Sequence, residues 1–459
     1  MITFSQIPLS EIELGRMDAE YYRPELVMLA KSISTNPHVS IRRAGASIDC
    51  SAFYPSIVPY YDFKQNGVPF LRVNEIQNGL LSIDEKTAFL PEEILHVNRS
   101  TIATCEPGDL IIAKGGNSLG KVALLTSLYS KYSVCRDVLV VRTGNLSQIN
   151  RFFLWLYLHS ASGQSLLIRT ASQTGQPHLT IESIARLKIP LIPNHEQEEI
   201  ERSYLAAEAA MEIARSAYIQ AQQLLESELG LDKLRFDKPV GYTARFSELE
   251  LSLRFDPEHF YPTFKALCAG LPETVSLEPL YRFAEPLKTG IQPTYLEDGE
   301  YEVINSKHIG VNKIDTSKLR RAAPASYSVM ADNGDVLLNA TGRGTLGRCA
   351  VLETDIPRIF DVCIIRIRPI GIDPYFLSAL LNTRFGQLQM ELHTRGTSGQ
   401  LHLYPRDARK ILIWPAPESL QAEVRELMTK AARSAQEATR LLEQAKFRVE
   451  QLIEEAVQA

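Results

Sequence analysis

From His195 onward the apolar side chains return in alternating steps of four and three, at Ile200, Tyr204, Ala207, Met211, Ala214, Tyr218, Ala221 and Leu225, with polar residues between them. The same steps recur after Pro417 at Val424, Met428, Ala431, Ala435, Ala438, Leu442, Ala445, Val449, Leu452 and Ala456. This is the a/d seam of a coiled coil, drawn twice. A single stripe would cover its own domain, but two narrow stripes longer than an average helix suit each other, and their alanines let two backbones approach. The pattern predicts that the two helices pack antiparallel, with the domain preceding each at opposite ends of the pair. About 33 helical residues span about 50 Å.

Outside the seams the periodicity shortens. VPFLRV from Val68, DLIIA from Asp109, DVLVVR from Asp137, DVLLNA from Asp335 and DVCIIRIR from Asp361 are runs rich in Val, Ile and Leu between turn residues, and read as strands. Asn150 to Thr170 is apolar enough for one largely buried helix. The fold class expected is α+β, with two pseudo-repeated domains separated by two long antiparallel helices.

The repeat is visible in the order of matches. LGRMDAEYYRP from Leu14 faces SLRFDPEHFYP from Ser252, pairing Arg16 with Arg254, Asp18 with Asp256, Glu20 with Glu258 and Pro24 with Pro262. GDLIIAKGGNSLGKVALL from Gly108 answers GDVLLNATGRGTLGRCAVL from Gly334. RDVLVVR ending at Arg142 meets FDVCIIR ending at Arg366, and GQPHL from Gly175 meets GQLHL from Gly399. The organisation expected is a first domain over 1–194, a helix over 195–232, a second domain over 233–417 and a helix over 418–459.

The net charge of -5 hides its distribution, because both heptad stretches are acidic and the remainder is slightly basic. Six cysteines stand far apart, with no Cys-x-x-Cys pair and no histidine at ligand spacing, which argues against structural zinc and a disulfide framework. Free thiols in a reducing cytoplasm fit that pattern. The N-terminus lacks the features of a signal peptide, and no apolar run reaches the length of a membrane span.

Candidate chemistry is sparse. Asp373-Pro374-Tyr375-Phe376 approaches the pocket motif of an amino-methyltransferase but has one proline, and Asp followed by Pro starts a helix. Gly115-Gly116 and Gly342-Arg343-Gly344 lack P-loop spacing and read as tight turns. His195-Glu196 opens HEQEE, not HExxH, so no zinc pair forms and Glu196 reads as a first-turn carboxylate. No catalytic residue and no metal ligand is assigned. The turns carry Lys114, Asn117 and Lys121 in the first half and Arg343 and Arg348 in the second, side chains able to contact phosphates or base edges. Gln176 and Gln400 join them as DNA-contact candidates, and so do His178 and His402. For each histidine a hydrogen bond inside its own domain is the first reading and a DNA contact the second. The loops of the two halves differ, so in a DNA-reading protein the two domains would read different sequences.

The Gly-Asp, strand, Gly-containing loop, strand blocks at Gly108 and Gly334 resemble the signature of type I restriction-modification specificity subunits. QPHLTIESIARLKIPLIPNHEQEEI, from Gln176, resembles the segment by which such domains enter their conserved helix. The resemblance covers nearly the whole chain, although ESLQAEV from Glu418 departs from HEQEEI. It implies a non-catalytic protein that reads a bipartite site in double-stranded DNA. It also implies two modification subunits, which methylate adenine with S-adenosylmethionine, and restriction subunits that use ATP, with no cofactor in this chain. Two other readings stand beside it: a methyltransferase or nuclease with its own active site, and a structural coiled-coil protein whose repeated domains bind other proteins.

Overall fold

The computed structural model describes residues 7–9, 12, 16, 18–77, 79–84, 86–172, 177–234, 241–252, 254–326, 329–342, 344–396 and 401–458. It divides into two units, Met1–Ala209 with Glu437–Ala459, and Ala210–Gln436.

In the first unit, six strands run in the order Ser47–Cys50, Val138–Arg142, Leu110–Ala113, Val122–Leu124, Leu80–Leu81, Ile76–Gln77. A second sheet orders Ala88–Leu90, Val68–Leu71, Tyr132–Val134, Thr104–Cys105, and His38–Ser40 pairs antiparallel with Lys188–Pro190. The central strands read as unbroken apolar runs because both of their faces are buried. Leu110, Ile112, Leu139 and Val141 point into a core with the helices Arg151–His159 and Ala161–Arg169, while Ile111, Ala113, Val138 and Val140 point into a core with the second sheet.

The second unit repeats this plan with four strands instead of six in the first sheet. Lys288–Thr289, Ile364–Ile367, Val336–Asn339 and Cys349–Val351 form one sheet, Arg320–Ala322, Tyr301–Ile304, Arg358–Phe360 and Met330–Ala331 the other, and Glu278–Pro279 pairs with Leu412–Ile413. Each unit even retains the same parallel pair inside its second sheet. The register corrects one sequence match. Val138 faces Ala113 and Ile364 faces Asn339, so Arg142 is equivalent to Arg368 and not to Arg366. A slip of two residues keeps every side chain on its face, so the apolar pattern alone does not reveal it.

The expected helix over Asn150 to Thr170 is two helices. Ser160 leaves the helical conformation and its hydroxyl accepts the Gly163 N–H as an N-cap. A side chain at Gly163 would strike the Tyr157 carbonyl, so only glycine lets the second helix turn so closely off the first. Thr383 and Gly386 repeat the device in the second unit.

The two long helices span Asn194–Glu228 and Glu418–Gln458. In the first unit Ile200 and Tyr204 share a core with Ala445, Val449 and Leu452, and Glu196 pairs with Arg448. In the second, Ala221 and Leu225 share a core with Val424 and Met428. Each unit therefore holds opposite parts of the two helices, as antiparallel pairing requires. Ala207 and Ala438 are buried as well, and Ala214, Tyr218, Ala431 and Leu442 half-buried, whereas Met211 and Ala435 are exposed and Ala217 is buried in their stead. A heptad stripe drifts around a helix of 3.6 residues per turn, which moves the covered face onto neighbouring positions.

Arg448 holds the Glu196 carboxyl below its ordinary value, chiefly through their hydrogen bond. A depressed carboxyl stabilises the fold above its unfolded pKa of about 4.3 and loses that contribution as pH falls through the folded value. Arg448→Ala should therefore cost about 1 kcal/mol at neutral pH, after screening. Urea melts should show the cost begin to shrink near about pH 4 and go on shrinking as pH falls through the folded value; a cost unchanged in acid would assign it to lost packing.

Candidate nucleic-acid interface

The Gly-Asp blocks have a physical basis. Gly108 and Gly334 adopt φ of 89° and 84°, a left-handed turn that glycine enters without strain. The aspartate that follows ties the turn. Asp109 accepts the N–H groups of Glu106 and Thr143, both at 3.1 Å, and Asp335 accepts that of Asp332 at 2.8 Å and the guanidinium of Arg368. Each block thus launches a buried strand from a fixed point.

At the far end of that strand lies the hairpin loop. In the first unit Ala113 N–H donates to Lys121 and Gly120 N–H to Ala113, closing Lys114 to Gly120. One flank is fixed by Lys114 N–H donating to Asp137, and the other by Leu179 N–H donating to Lys114, both at 2.8 Å. His178 then bridges to Gly115 and to Ser172. The second unit reproduces the assembly. Asn339 N–H donates to Arg348 and Gly347 N–H to Asn339; Ala340 donates to Cys363 and accepts from Leu403, and His402 bridges to Thr341 and Arg395.

The structure thus gathers Lys114, Asn117, Lys121 and His178 at one end of the first sheet, and Arg348 and His402 at the equivalent end of the second. Asn117 and Lys121 are exposed; Lys114 and Arg348 are half-buried. Gln176, Arg343 and Gln400 lie outside the described residues. Backbone hydrogen bonds hold both histidines within their own domains: Ser172 N–H donates to the His178 carbonyl, and His402 and Arg395 exchange both bonds. His178 Nδ1 is buried without a hydrogen-bond partner among the described residues, and His402 stacks on Tyr404 at 6.0 Å. Beside it Arg395 pairs with Asp407 at 2.9 Å; burial raises that carboxyl, but the arginine outweighs burial and leaves it below the usual range.

A Cβ at Gly115 would lie against His178 Nδ1 and within 2.6 Å of Cε1. Gly115→Ala should therefore destabilise by about 1–3 kcal/mol. Adding His178→Ala should cost less than the two single changes together, as a thermal double-mutant cycle would report; strict additivity would place the clash elsewhere.

Sequence reasoning passed over Gln197 and Gln421. Gln197 Oε1 accepts the N–H of Asn150 at 2.6 Å and Gln421 Oε1 that of Asp373 at 2.9 Å, so each long helix grips the N-cap of a core helix in its own unit. The departure of ESLQAEV from HEQEEI leaves this glutamine in place. Asp373 itself caps Tyr375 and Phe376, the helix start read from its sequence. Arg16 and Arg254 also gain a reason for recurring: the first donates to the Ala171 and Arg169 carbonyls, the second to that of Thr394.

Among the described residues no group of three or more His, Cys, Asp and Glu side chains is placed to hold a metal, and no helix is long and apolar enough to cross a membrane. The cysteines are free, and burial pushes the Cys135 thiol up to about 11.

No curated protein matches the chain. Among solved structures, an S subunit of a type I restriction-modification system from M. genitalium is 12% identical, with 91% of this chain and 95% of that chain covered at a TM-score of 0.44. A chain from a structure of type I restriction-modification complex assembly and conformational transition is 15% identical, with coverage of 92% and 97% and a TM-score of 0.31. The HsdS subunit from Thermoanaerobacter tengcongensis is 15% identical, with coverage of 90% and 97% and a TM-score of 0.29. Residues 56–203, which include the first hairpin loop, His178 and the start of the first long helix, match the type I restriction modification DNA specificity domain. Over those residues the chain is therefore similar to the DNA specificity domain of type I restriction-modification systems, the family that its sequence resembles.

Proposed function

We propose that this chain is the non-catalytic specificity subunit of a type I restriction-modification system, each unit reading one half of a split duplex site. The observation that carries this reading is one hairpin-loop assembly built twice on the same backbone bonds with different side chains: Lys114, Asn117 and Lys121 in one, Arg348 in the other. A common scaffold with divergent donors suits two different half-sites. Lysine and arginine supply phosphate contacts, while arginine and asparagine can also read guanine and adenine edges. The partners would be two modification subunits supplying S-adenosylmethionine chemistry and restriction subunits using ATP, acting in the cytoplasm on double-stranded DNA. The long helices would set the number of base pairs between the half-sites.

The test uses the intact system. Inserting four residues into both long helices lengthens each by about 6 Å. Methylation-aware sequencing of cellular DNA should show both half-sites unchanged and the spacer longer by about one to two base pairs at roughly 3.4 Å each. An unaltered spacer would reject the ruler. Methyl transfer by the isolated chain would instead favour an enzyme.

A further inference from the structure

The connection over 51–67 joins two strands of the first unit and exposes Phe53 (79%), Val58 (62%), Tyr60 (50%) and Phe63 (51%). Single exposed apolar residues are ordinary; four on one short connection mark a binding surface. We propose that this connection is an aromatic wedge that stacks against unstacked bases of the first half-site, an inference that rests on the DNA-reading role proposed above.

The segment is built to present those rings. Tyr54 and Tyr61 both lean on Phe70, with centroids 6.3 Å and 5.7 Å away, and Ile57 is buried. Asp62 and Phe89 exchange both backbone hydrogen bonds, and the Asp62 carboxylate accepts the Lys64 N–H at 2.5 Å. Every projecting aromatic therefore sits beside an anchored neighbour, so little freedom remains to be lost on binding.

Charge selects the occupant. Lys64 and Arg136 are exposed and Arg72 half-buried nearby, while Asp62 is engaged in its own turn and Glu75 is buried against Arg72. The surface is also continuous with the hairpin loop. The Arg136 backbone lies close enough to the Tyr54 hydroxyl to favour its charged form, and the next residue, Asp137, accepts the Lys114 N–H. Apolar side chains flanked by cations are what wedges into base steps require, and stacking tolerates any base because each has a π face. In the second unit Tyr295 lies under Arg320 at 3.6 Å, and Leu296 is exposed (51%). The wedge therefore belongs to one half-site only.

The test begins with duplexes of 40 base pairs enriched by the full chain from a randomised pool, rebuilt with 2-aminopurine at successive positions. The wild type should raise the fluorescence at a step in one half-site. Phe53→Ala/Tyr60→Ala/Phe63→Ala should bind at least about tenfold more weakly without that rise, and Leu296→Ala should keep both. Phe53→Ser alone, at the most exposed ring, should lose part of the rise while melting like the wild type. Unchanged affinity and fluorescence in the triple variant overturns the wedge, as does intact DNA binding with lost association of the modification subunit, which would make the surface a protein contact. Failure of the wild type to enrich any duplex removes the DNA reading and the wedge with it; enrichment that ignores the triple variant removes the wedge alone.

Discussion

Trp155→Ala should destabilise the first unit by about 3–5 kcal/mol, the range for removing a large buried aromatic. Trp155 is 2% exposed, donates its indole N–H to the Gly79 carbonyl at 2.7 Å, and packs edge-on against Tyr204 of the first long helix at 5.3 Å. Its loss would leave a cavity, an orphaned carbonyl and a loosened helix together. The second unit solves the same position differently. Five residues after the N-cap Asp373, where Asn150 leads to Trp155, stands Ser378, whose hydroxyl donates to Asn312 at 2.7 Å. Asn312 adopts φ of 53° where the first unit has Gly79 at 82°. Ser378→Ala should cost only about 1 kcal/mol, the worth of one hydrogen bond. Urea unfolding checks the contrast, and comparable losses at Trp155 and Ser378 would show that packing is shared more broadly.

Asp335→Ala should cost about 3–5 kcal/mol, because it removes the buried carboxylate that takes both the guanidinium of Arg368 and the Asp332 N–H, leaving the cation with Asp332 alone. Arg368 reaches Asp335 at 2.8 Å and Asp332 at 2.6 Å, and Asp335 is 1% exposed. Asp109, its equivalent, holds two backbone N–H groups and no arginine. Asp109→Ala should therefore cost less, about 2–3 kcal/mol for two charge-assisted bonds. Thermal melts of the two variants rank them, and a larger loss at Asp109 would contradict the role given to Arg368.

Much of the architecture was legible because it rests on periodicity. The duplicated Gly-Asp blocks announced matching strands, and Ile200, Tyr204, Ala221, Leu225, Val424 and Val449 are buried where the heptads put them. What escaped detection depends on geometry that no spacing records. Gln197 sits in an acid-rich first turn and looks like part of a solvated face, yet its amide closes a bond across 47 residues. The break at Ser160 hides within an apolar run, since a serine inside a helix and a serine capping the next one read alike. At the candidate interface the loop ends and histidines were recognisable from repetition. Their real contacts, through backbone bridges to Gly115 and Thr341, required coordinates.

The first unit is discontinuous, completed by Glu437–Ala459 from the far end of the chain. Ala445, Val449, Leu452 and Ile453 fill the same core as the sheet around Leu110 and Leu139. During translation that core stays open while the whole second unit is made, an interval of roughly ten seconds or more at ribosomal rates of about 5–20 residues per second. The first unit is thus finished after the second, and until then the nascent chain carries an open apolar core.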